Sequence, residues 1–290
     1  MSTRAQVSVV IPARNAAATI EDQLTALSGQ RTERPFEVLV VDDASEDATS
    51  ELVDAWADRD HRFRRLTTDG RRGAGHARNL GTSWAAGSII AYCDADDVAS
   101  PDWLEGLVRA LDSFAIVGGP LDHRSLNPPD IRIWRAARPM TALPNTHGFL
   151  DYAVSANCAL WRGWWERVGG WDESLANGED VELSWRIQLA GGTLGFAPEA
   201  VVHYRHRPTP MGVARQAAAY SRAEVALLRR FAPHGARRCP ARSRGARLGY
   251  LVTRLPYLAL GRRRQGMWLV VAGGLLGELR GSLDRRMVDP

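Results

Sequence analysis

Residues 88–98 have the sequence SIIAYCDADDV, an apolar run that stops abruptly at three carboxylates within four residues. Such a run is typical of a buried strand of a parallel sheet. Crowded carboxylates repel one another unless a cation lies among them, and Mg²⁺ and Mn²⁺ take oxygen ligands of this kind. A solvated acidic turn before the next helix would explain an isolated DxD equally well. The position directly after an apolar strand favours a binding site.

The same pattern recurs on the N-terminal side of this stretch. Residues 7–11, VSVVI, precede Pro12, and residues 37–41, EVLVV, end in Asp42 and Asp43. Apolar residues at helical spacing follow each run, so the chain predicts an α/β fold with a mainly parallel sheet and helices on both faces. Ligands of such sheets bind beyond the carboxyl ends of the strands, where both acidic clusters are expected. Part of residues 42–47 is expected to cap the next helix, which leaves Asp43 to accept hydrogen bonds from a base or ribose.

Three further motifs carry candidate site residues. The glycine-rich segment GAGHARNLG, residues 73–81, opens a helix and could bring Arg78 to a phosphate, although a simple turn also explains it. Asn177 is the predicted N-cap of a helix with Asp180 in its first turn, where the helix dipole favours an ionised carboxylate suited to a general base. Ordinary first-turn acids would look the same. His203 ends a short apolar strand, and the four tryptophans of residues 161–171 are expected mainly in the core.

The C-terminal part has a different character. Residues 120–150 have no sustained period and are predicted to form a long loop. We expect a catalytic domain at residues 1–210 and a basic helical extension at residues 211–290. Residues 201–290 hold 18 Arg against 4 acids, whereas residues 1–200 hold 19 Arg against 29 acids. A basic tail on an acidic body predicts an anionic partner.

Two apolar blocks of this tail, residues 248–260 and 266–277, are too short to cross a bilayer, which takes about 20 apolar residues. Because Arg residues flank both blocks, including Arg242 and Arg285–Arg286, we expect them to lie at an anionic membrane surface. Packing of these helices on the catalytic domain is the alternative.

The cysteines favour a reducing compartment. Cys93, Cys158 and Cys239 are widely spaced and odd in number, which argues against a disulfide framework or a zinc site. The chain starts directly with a strand-like segment and no leader. The expected location is therefore cytoplasmic, peripheral at the inner face of the cell membrane.

Taken together, four ordered motifs resemble the inverting glycosyltransferase family 2, which has the GT-A fold. The matching stretches are VSVVIPARN at 7–15, VLVVDDASEDAT at 38–49, GHARNLGTSWAAGSIIAYCDADDV at 75–98 and VGGWDESLANGEDVELSWR at 168–186. The resemblance spans about residues 5–207. It implies a UDP-, GDP- or dTDP-linked sugar donor, Mn²⁺ or Mg²⁺ as cofactor, and a glycan or lipid-linked acceptor, with no nucleic acid as partner.

The resemblance also implies roles for individual residues. Asp180 matches the catalytic base, and Asp96 matches a metal ligand that His203 is expected to join. Donor contacts are expected at Pro12, Asp43, Arg78 and Asp94, and acceptor contacts at Trp171 and Glu179.

The QxxRW signature of processive synthases is absent, so single transfers are expected, in cell-envelope, polysaccharide or glycolipid synthesis. A catalytically silent nucleotide-sugar-binding module of the same fold is the alternative. A nucleotidyltransferase would be expected to carry a glycine-rich basic loop in place of residues 12–15. A nucleic-acid-binding tail would be expected to interleave its Arg residues with aromatics.

Overall fold

The computed structural model describes residues 5–134, 139–145, 148–237 and 242–284, with the side chains of residues 242 and 243 left out. Cys239 and Arg285–Arg286 lie outside the described residues, as does the side chain of Arg242. The chain divides into two compact units. The first comprises residues 1–122, 139–144 and 151–204, and the second comprises residues 123–138, 145–150 and 205–290.

A seven-stranded mixed sheet forms the centre of the first unit and confirms the predicted α/β fold. Its strands are β1 (Val7–Ala13), β2 (Phe36–Asp42), β3 (Phe63–Thr67), β4 (Ile89–Cys93), β6 (Ile116–Gly118), β8 (Asn157–Trp161) and β9 (Leu194–Phe196). They lie in the order β3-β2-β1-β4-β8-β6-β9. The first four are parallel, and β8 is antiparallel to both β4 and β6. Strand β3 escapes sequence analysis because its interior residues include Arg64 and Arg65, which remove the apolar signal.

Helices cover both faces of this sheet, and a small second sheet lies beside the acidic motif. The helices are α1 (Ile20–Ser28), α2 (Thr49–Arg59), α3 (Ala74–Trp84), α4 (Trp103–Leu111), α6 (Arg162–Val168) and α7 (Glu179–Leu189). The second sheet joins β5 (Val98–Ala99), β10 (Val202–His203) and β7 (Leu121–Asp122). Each face of the large sheet has its own buried cluster, one centred on α1 and α4 and the other on α3 and α7.

Two regular elements lie in the described part of the predicted loop, residues 120–134, 139–145 and 148–150. Strand β7 begins the segment, and a short helix, α5 (Pro129–Arg132), belongs to the second unit. Ile131 and Trp134 from this segment form a small core with Val213. A four-residue helix lacks the repeats that make a periodic pattern visible in sequence, so only tertiary packing defines it.

The second unit is helical. It contains α5, α8 (Pro210–Arg230), α9 (Arg242–Thr253) and α10 (Arg262–Leu283), with 3₁₀ turns at Ala232–His234 and Leu255–Leu258. Within the described residues, no helix is long and apolar enough to cross a membrane.

Helix α10 packs on α8 through a face of glycines. A Cβ atom at Gly273 would lie 2.3 Å from the Ala214 carbonyl oxygen, and one at Gly277 would lie 2.1 Å from the Ala218 carbonyl oxygen. Since no real Cβ approaches backbone that closely, the two helices can only meet where these positions are glycine. The uncharged block at residues 266–277, which the sequence suggests for a membrane surface, therefore presents its glycine face to α8.

This packing predicts opposite outcomes for the same substitution at two glycines. Gly277→Ala should destabilise the protein by about 1–3 kcal/mol, because the added methyl forces the α8 backbone away. Gly249→Ala in α9 meets nothing within 4 Å and should stabilise by about 0.5–1 kcal/mol through helix propensity alone. Urea denaturation of both variants checks this, and equal effects at the two positions would contradict the close approach.

Candidate active site

Three parallel strands bring the predicted motifs to one edge of the sheet. Strand β1 lies between β2 and β4, with Ala13 paired to Asp42 and Val10 paired to Tyr92. The acidic segments that follow β2 and β4 therefore flank the end of β1, as expected for adjacent parallel strands.

The acidic segment after β4 forms a group suited to a divalent cation. One carboxylate oxygen each from Asp94, Asp96 and Asp97 lies within 4.8 Å of the others. Asp97 is fully buried, whereas Asp94 and Asp96 are half-buried. Among the residues that the structure describes, this is the one such group of three or more candidate ligands. Its all-oxygen, all-anionic character fits Mg²⁺ or Mn²⁺.

His203 lies beside this group without being part of it. The β-bridge of β10 places His203 opposite Val98, the residue after Asp97. Its Nδ1 is 2.8 Å from an Asp122 carboxylate oxygen. Metal-binding histidines commonly hold a carboxylate at one ring nitrogen while the other faces the ion, so the pair leaves Nε2 for that role. Asp122 has no signal in the sequence, because β7 joins this sheet only through tertiary contacts. The prediction of His203 as a ligand stays a prediction.

Arg78 links the acidic segment to helix α7. Its Nη2 donates to Asp94 Oδ1 and to Ser155 Oγ, both at 3.0 Å, and its Nη1 donates to Glu179 Oε1 at 2.8 Å. The ring of Trp171 lies 5.0 Å from the guanidinium carbon. Burial opposes the charge on Arg78, but the carboxylates of Asp94 and Glu179 outweigh it, so the pKa of Arg78 is raised.

The glycine-rich segment positions Arg78 by a close helix–sheet approach. A Cβ at Gly81 would lie 2.4 Å from Val10 Cγ1 and 3.0 Å from Val41 Cγ2. Glycine at this position lets α3 lie directly on β1 and β2, which directs Arg78 to the site edge. The segment therefore has a packing role as well as a place in the site.

Asp180 occupies the second position of α7. The predicted N-cap, Asn177, is wrong by one residue, since Gly178 caps the helix with φ 81°. This left-handed backbone conformation is readily adopted by glycine. Asp180 accepts from the amides of Ser155 at 3.2 Å and Val181 at 2.8 Å. Burial and the charge of Glu179 outweigh these amides and Arg78, which raises the pKa of Asp180 to about 6. Its carboxylate is thus mostly ionised at neutral pH.

The two predicted acceptor residues both contact Arg78 in this structure. Glu179 is buried against the guanidinium, and Trp171, 2% exposed, packs edge-on against Tyr92 with a centroid distance of 4.9 Å. Their acceptor contacts stay predictions. Ser155, which sequence analysis missed, touches both Arg78 and Asp180 and lies in a segment with no motif of its own.

Asp43 organises the loop before α3. Its carboxylate accepts from the amides of Arg72 at 2.7 Å and Gly73 at 2.9 Å, and from the Thr68 hydroxyl at 3.1 Å. Pro12, half-buried, pairs with Val41 in the adjacent strand. Asp43 thus lies at the predicted nucleotide-binding edge, where it fixes the shape of the loop.

The loops after β1 and β2 are tied together at the same edge. The Glu46 amide donates to Asn15 Oδ1 at 2.8 Å, and the Asn15 amide donates to Ser45 Oγ at 3.0 Å. Asn15 and Ala44 have φ of 49° and 56°, a left-handed conformation that Asn adopts readily but that costs Ala44 about 1–2 kcal/mol. Asp47 accepts from the amides of Thr49 and Ala17, which is the capping role expected for this segment.

Comparison with known proteins decides the family. The model of the family "Glycosyl transferase family 2" matches residues 8–162, more than half of the chain. The chain belongs to glycosyltransferase family 2. A second model, "Glycosyl transferase family group 2", matches residues 89–276 of this glycosyltransferase.

Curated relatives of this glycosyltransferase come from archaea and bacteria. It is 29% identical over 210 residues to the glycosyltransferase AglE of Haloferax volcanii, and the aligned region covers 71% of this chain and 69% of the relative. It is 33% identical over 248 residues to the succinoglycan biosynthesis protein ExoO of Rhizobium meliloti, with 79% and 70% covered. It is 31% identical over 215 residues to the pre-mycofactocin glycosyltransferase of Mycobacterium tuberculosis, with 69% of this chain covered but only 43% of the relative.

Solved structures show the GT-A fold. The mannosyltransferase PcManGT from Pyrobaculum calidifontis, in complex with GDP-Man and Mn²⁺, has a TM-score of 0.68 at 21% identity and covers 98% of this chain and 89% of its own. S. aureus TarS in complex with UDP-GlcNAc has a TM-score of 0.57 at 15% identity, with 95% and 89% covered. This member of glycosyltransferase family 2 therefore has the GT-A fold.

Proposed function

We propose that this glycosyltransferase moves one sugar from a nucleotide-diphosphate donor to an acceptor hydroxyl, with inversion and with a divalent cation. The bridge made by Arg78 is the observation that carries the proposal. Arg78 forms ion pairs with both Asp94 and Glu179. Asp94 belongs to the acidic group suited to a cation, and Glu179 directly precedes Asp180. These two contacts support a donor site and a base at the same sheet edge.

The donor side comprises Pro12, Asp43, Arg78 and Asp94, with Asp43 facing the base and Asp94 the ribose. Asp96, its two acidic neighbours and His203 would hold Mn²⁺ or Mg²⁺, which supplies positive charge to the diphosphate when bound. The donor is linked to UDP, GDP or dTDP, since related folds are seen with GDP-Man and with UDP-GlcNAc. Arg78, paired with Asp94 and Glu179, acts mainly by holding these carboxylates in place.

Asp180 acts on the acceptor. Its carboxylate takes the proton of an acceptor hydroxyl, and the oxygen attacks the anomeric carbon from the face opposite the diphosphate. The new C–O bond forms as the bond to the diphosphate breaks, so the anomeric configuration inverts. Glu179 and Trp171 support the acceptor side through their contacts with Arg78.

Residues 1–210 are proposed as the catalytic domain and residues 211–290 as a helical extension. A glycan or lipid-linked acceptor in cell-envelope synthesis is supported by the succinoglycan protein among the relatives. Such an acceptor fits a cytoplasmic enzyme that is peripheral at the inner face of the cell membrane.

A donor panel tests the proposal. UDP-, GDP- and dTDP-sugars are screened by thermal shift with and without Mn²⁺, and a donor at 100 times its Kd should stabilise the protein by about 2.7 kcal/mol. The donor found is then used in a transfer assay with product NMR. Binding without transfer or hydrolysis would contradict the enzymatic assignment of the site, and a retained anomeric configuration would contradict inversion.

The raised pKa of Asp180 predicts the pH dependence of transfer. A base must be ionised to act, and burial beside Glu179 raises the pKa of Asp180 to about 6. We expect kcat/KM to fall about tenfold for each pH unit below 6 and to level off above it. A profile of kcat/KM from about pH 4.5 to about pH 8.5 checks this. An acidic limb that persists unchanged in Asp180→Asn would assign it to another group.

A further inference from the structure

Helix α9 and the turn after it expose an apolar row that no other described element covers. Val252 is 75% exposed, Leu255 57% and Leu248 56%, and Leu258 and Leu260 continue the row beyond the helix. Leu248, Val252 and Leu255 are spaced by four and three residues, which places them on one side of a helical path. We call these five residues the α9 surface. Large apolar side chains clustered in this way mark an interaction site.

The α9 surface lies within a strongly basic segment. Residues 242–264 contain seven Arg and no Asp or Glu. Arg244 and Arg247 pair with Glu278, which anchors α9 to α10. Arg254, Arg263 and Arg264 are exposed in the same segment.

Two tyrosines complete the pattern. The guanidinium carbons of Arg254 and Arg264 lie 5.5 Å and 5.7 Å from the ring centre of Tyr257, and Tyr250 meets the same ring edge-on at 6.5 Å. Tyrosines combine an apolar ring with a polar tip, and Arg side chains lay an apolar stem along such rings. This combination suits the boundary between lipid headgroups and acyl chains.

We propose that the α9 surface docks on an anionic lipid bilayer, with the apolar row among the upper acyl chains and Arg254, Arg263 and Arg264 at lipid phosphates. Charge complementarity points to this occupant, because exposed apolar side chains in an Arg-rich segment match a surface that is anionic outside and apolar beneath. A second copy docking through the same surface would bring the two Arg clusters together. The proposal does not depend on the transferase activity.

Sedimentation of the full chain with vesicles tests the proposal. Wild type should pellet with vesicles of phosphatidylcholine and phosphatidylglycerol and stay in solution with phosphatidylcholine alone. Leu248→Glu with Val252→Glu should weaken partitioning at least about tenfold, since two exposed apolar anchors are lost. Leu189→Glu, at an exposed leucine of α7, is the matched control and should bind as wild type does.

A variant of the three exposed arginines measures the electrostatic contribution to vesicle binding. It also tests the proposal independently of the double variant, should that variant misfold. Replacing Arg254, Arg263 and Arg264 with Gln should weaken binding by on the order of fivefold per residue, and added salt should weaken wild type more than this variant. The proposal fails if wild type ignores anionic vesicles or if the double variant binds like Leu189→Glu. A dimer in solution that the double variant dissociates would also overturn it, because the surface would then join two copies.

Discussion

Replacing Asp180 with asparagine is expected to slow sugar transfer by about 10²–10⁴-fold, the range typical of a positioned acid–base group. Asparagine cannot take the proton of the acceptor hydroxyl, while its size and its place in α7 stay the same. Donor affinity should be retained, because the acidic group, Asp43 and the loop before α3 are untouched. Single-turnover kinetics checks the slower transfer, and calorimetric donor titration checks the unchanged donor affinity. Normal turnover would remove Asp180 from the mechanism.

The same substitution should make the protein more stable. The pKa of Asp180 is raised from 3.8 to about 6 in the folded protein, so the ionised carboxylate lowers the free energy of unfolding by about 3 kcal/mol. Asparagine removes that cost, but its single side-chain oxygen can accept only one of the two hydrogen bonds from the amides of Ser155 and Val181. We therefore expect the free energy of unfolding to rise by about 1–2 kcal/mol.

The size of this stabilisation depends on pH. Above about pH 6 the aspartate is ionised in both the folded and unfolded states, and the gain from asparagine is complete. Below about pH 4 the aspartate is protonated in both states, and the gain disappears. Thermal unfolding at both pH extremes, in buffer without divalent cations, gives the comparison. A less stable Asp180→Asn at pH 7 would show that the lost hydrogen bond outweighs the cost of burial.

Asp96→Asn, or removal of divalent cations with EDTA, should lower transfer by about 10³-fold or more. A cation is worth several kcal/mol to a developing charge, and each 1.36 kcal/mol is about tenfold in rate. Asp96, half-buried like Asp94, lies between Asp94 and Asp97 in the acidic segment, so its replacement removes a ligand and a charge together. Donor affinity should fall as well, which separates this variant from Asp180→Asn.

An exposed carboxylate serves as control for charge alone. Asp58→Asn, on the outer side of α2, should leave both transfer and donor affinity unchanged. Undiminished turnover of wild type in EDTA would take the cation out of the reaction. Full metal-dependent activity of Asp96→Asn would move the ligand role to Asp94 and Asp97.

Local sequence by itself determined strands β1, β2 and β4, the helices that follow them and the acids at the ends of β2 and β4. An apolar, β-branched run of five residues bounded by Pro or acids favours a buried strand, and the residues after it then lie at the sheet edge. The identity of the family followed from four such motifs in order. The sequence also determined that the tail is basic, since charge is additive along the chain.

Tertiary structure decided how those residues meet. Arg78 contacts Asp94 and Glu179, which are 16 and 101 residues away in the chain. Asp122 contacts His203, which is 81 residues away. No local sequence pattern could predict these pairs. The two apolar blocks of the tail look alike in sequence, yet one packs a glycine face on α8 and the other is exposed in α9. The physical reason is that backbone approach and side-chain burial are set by neighbours in space, whereas periodicity and charge are set by neighbours in the chain.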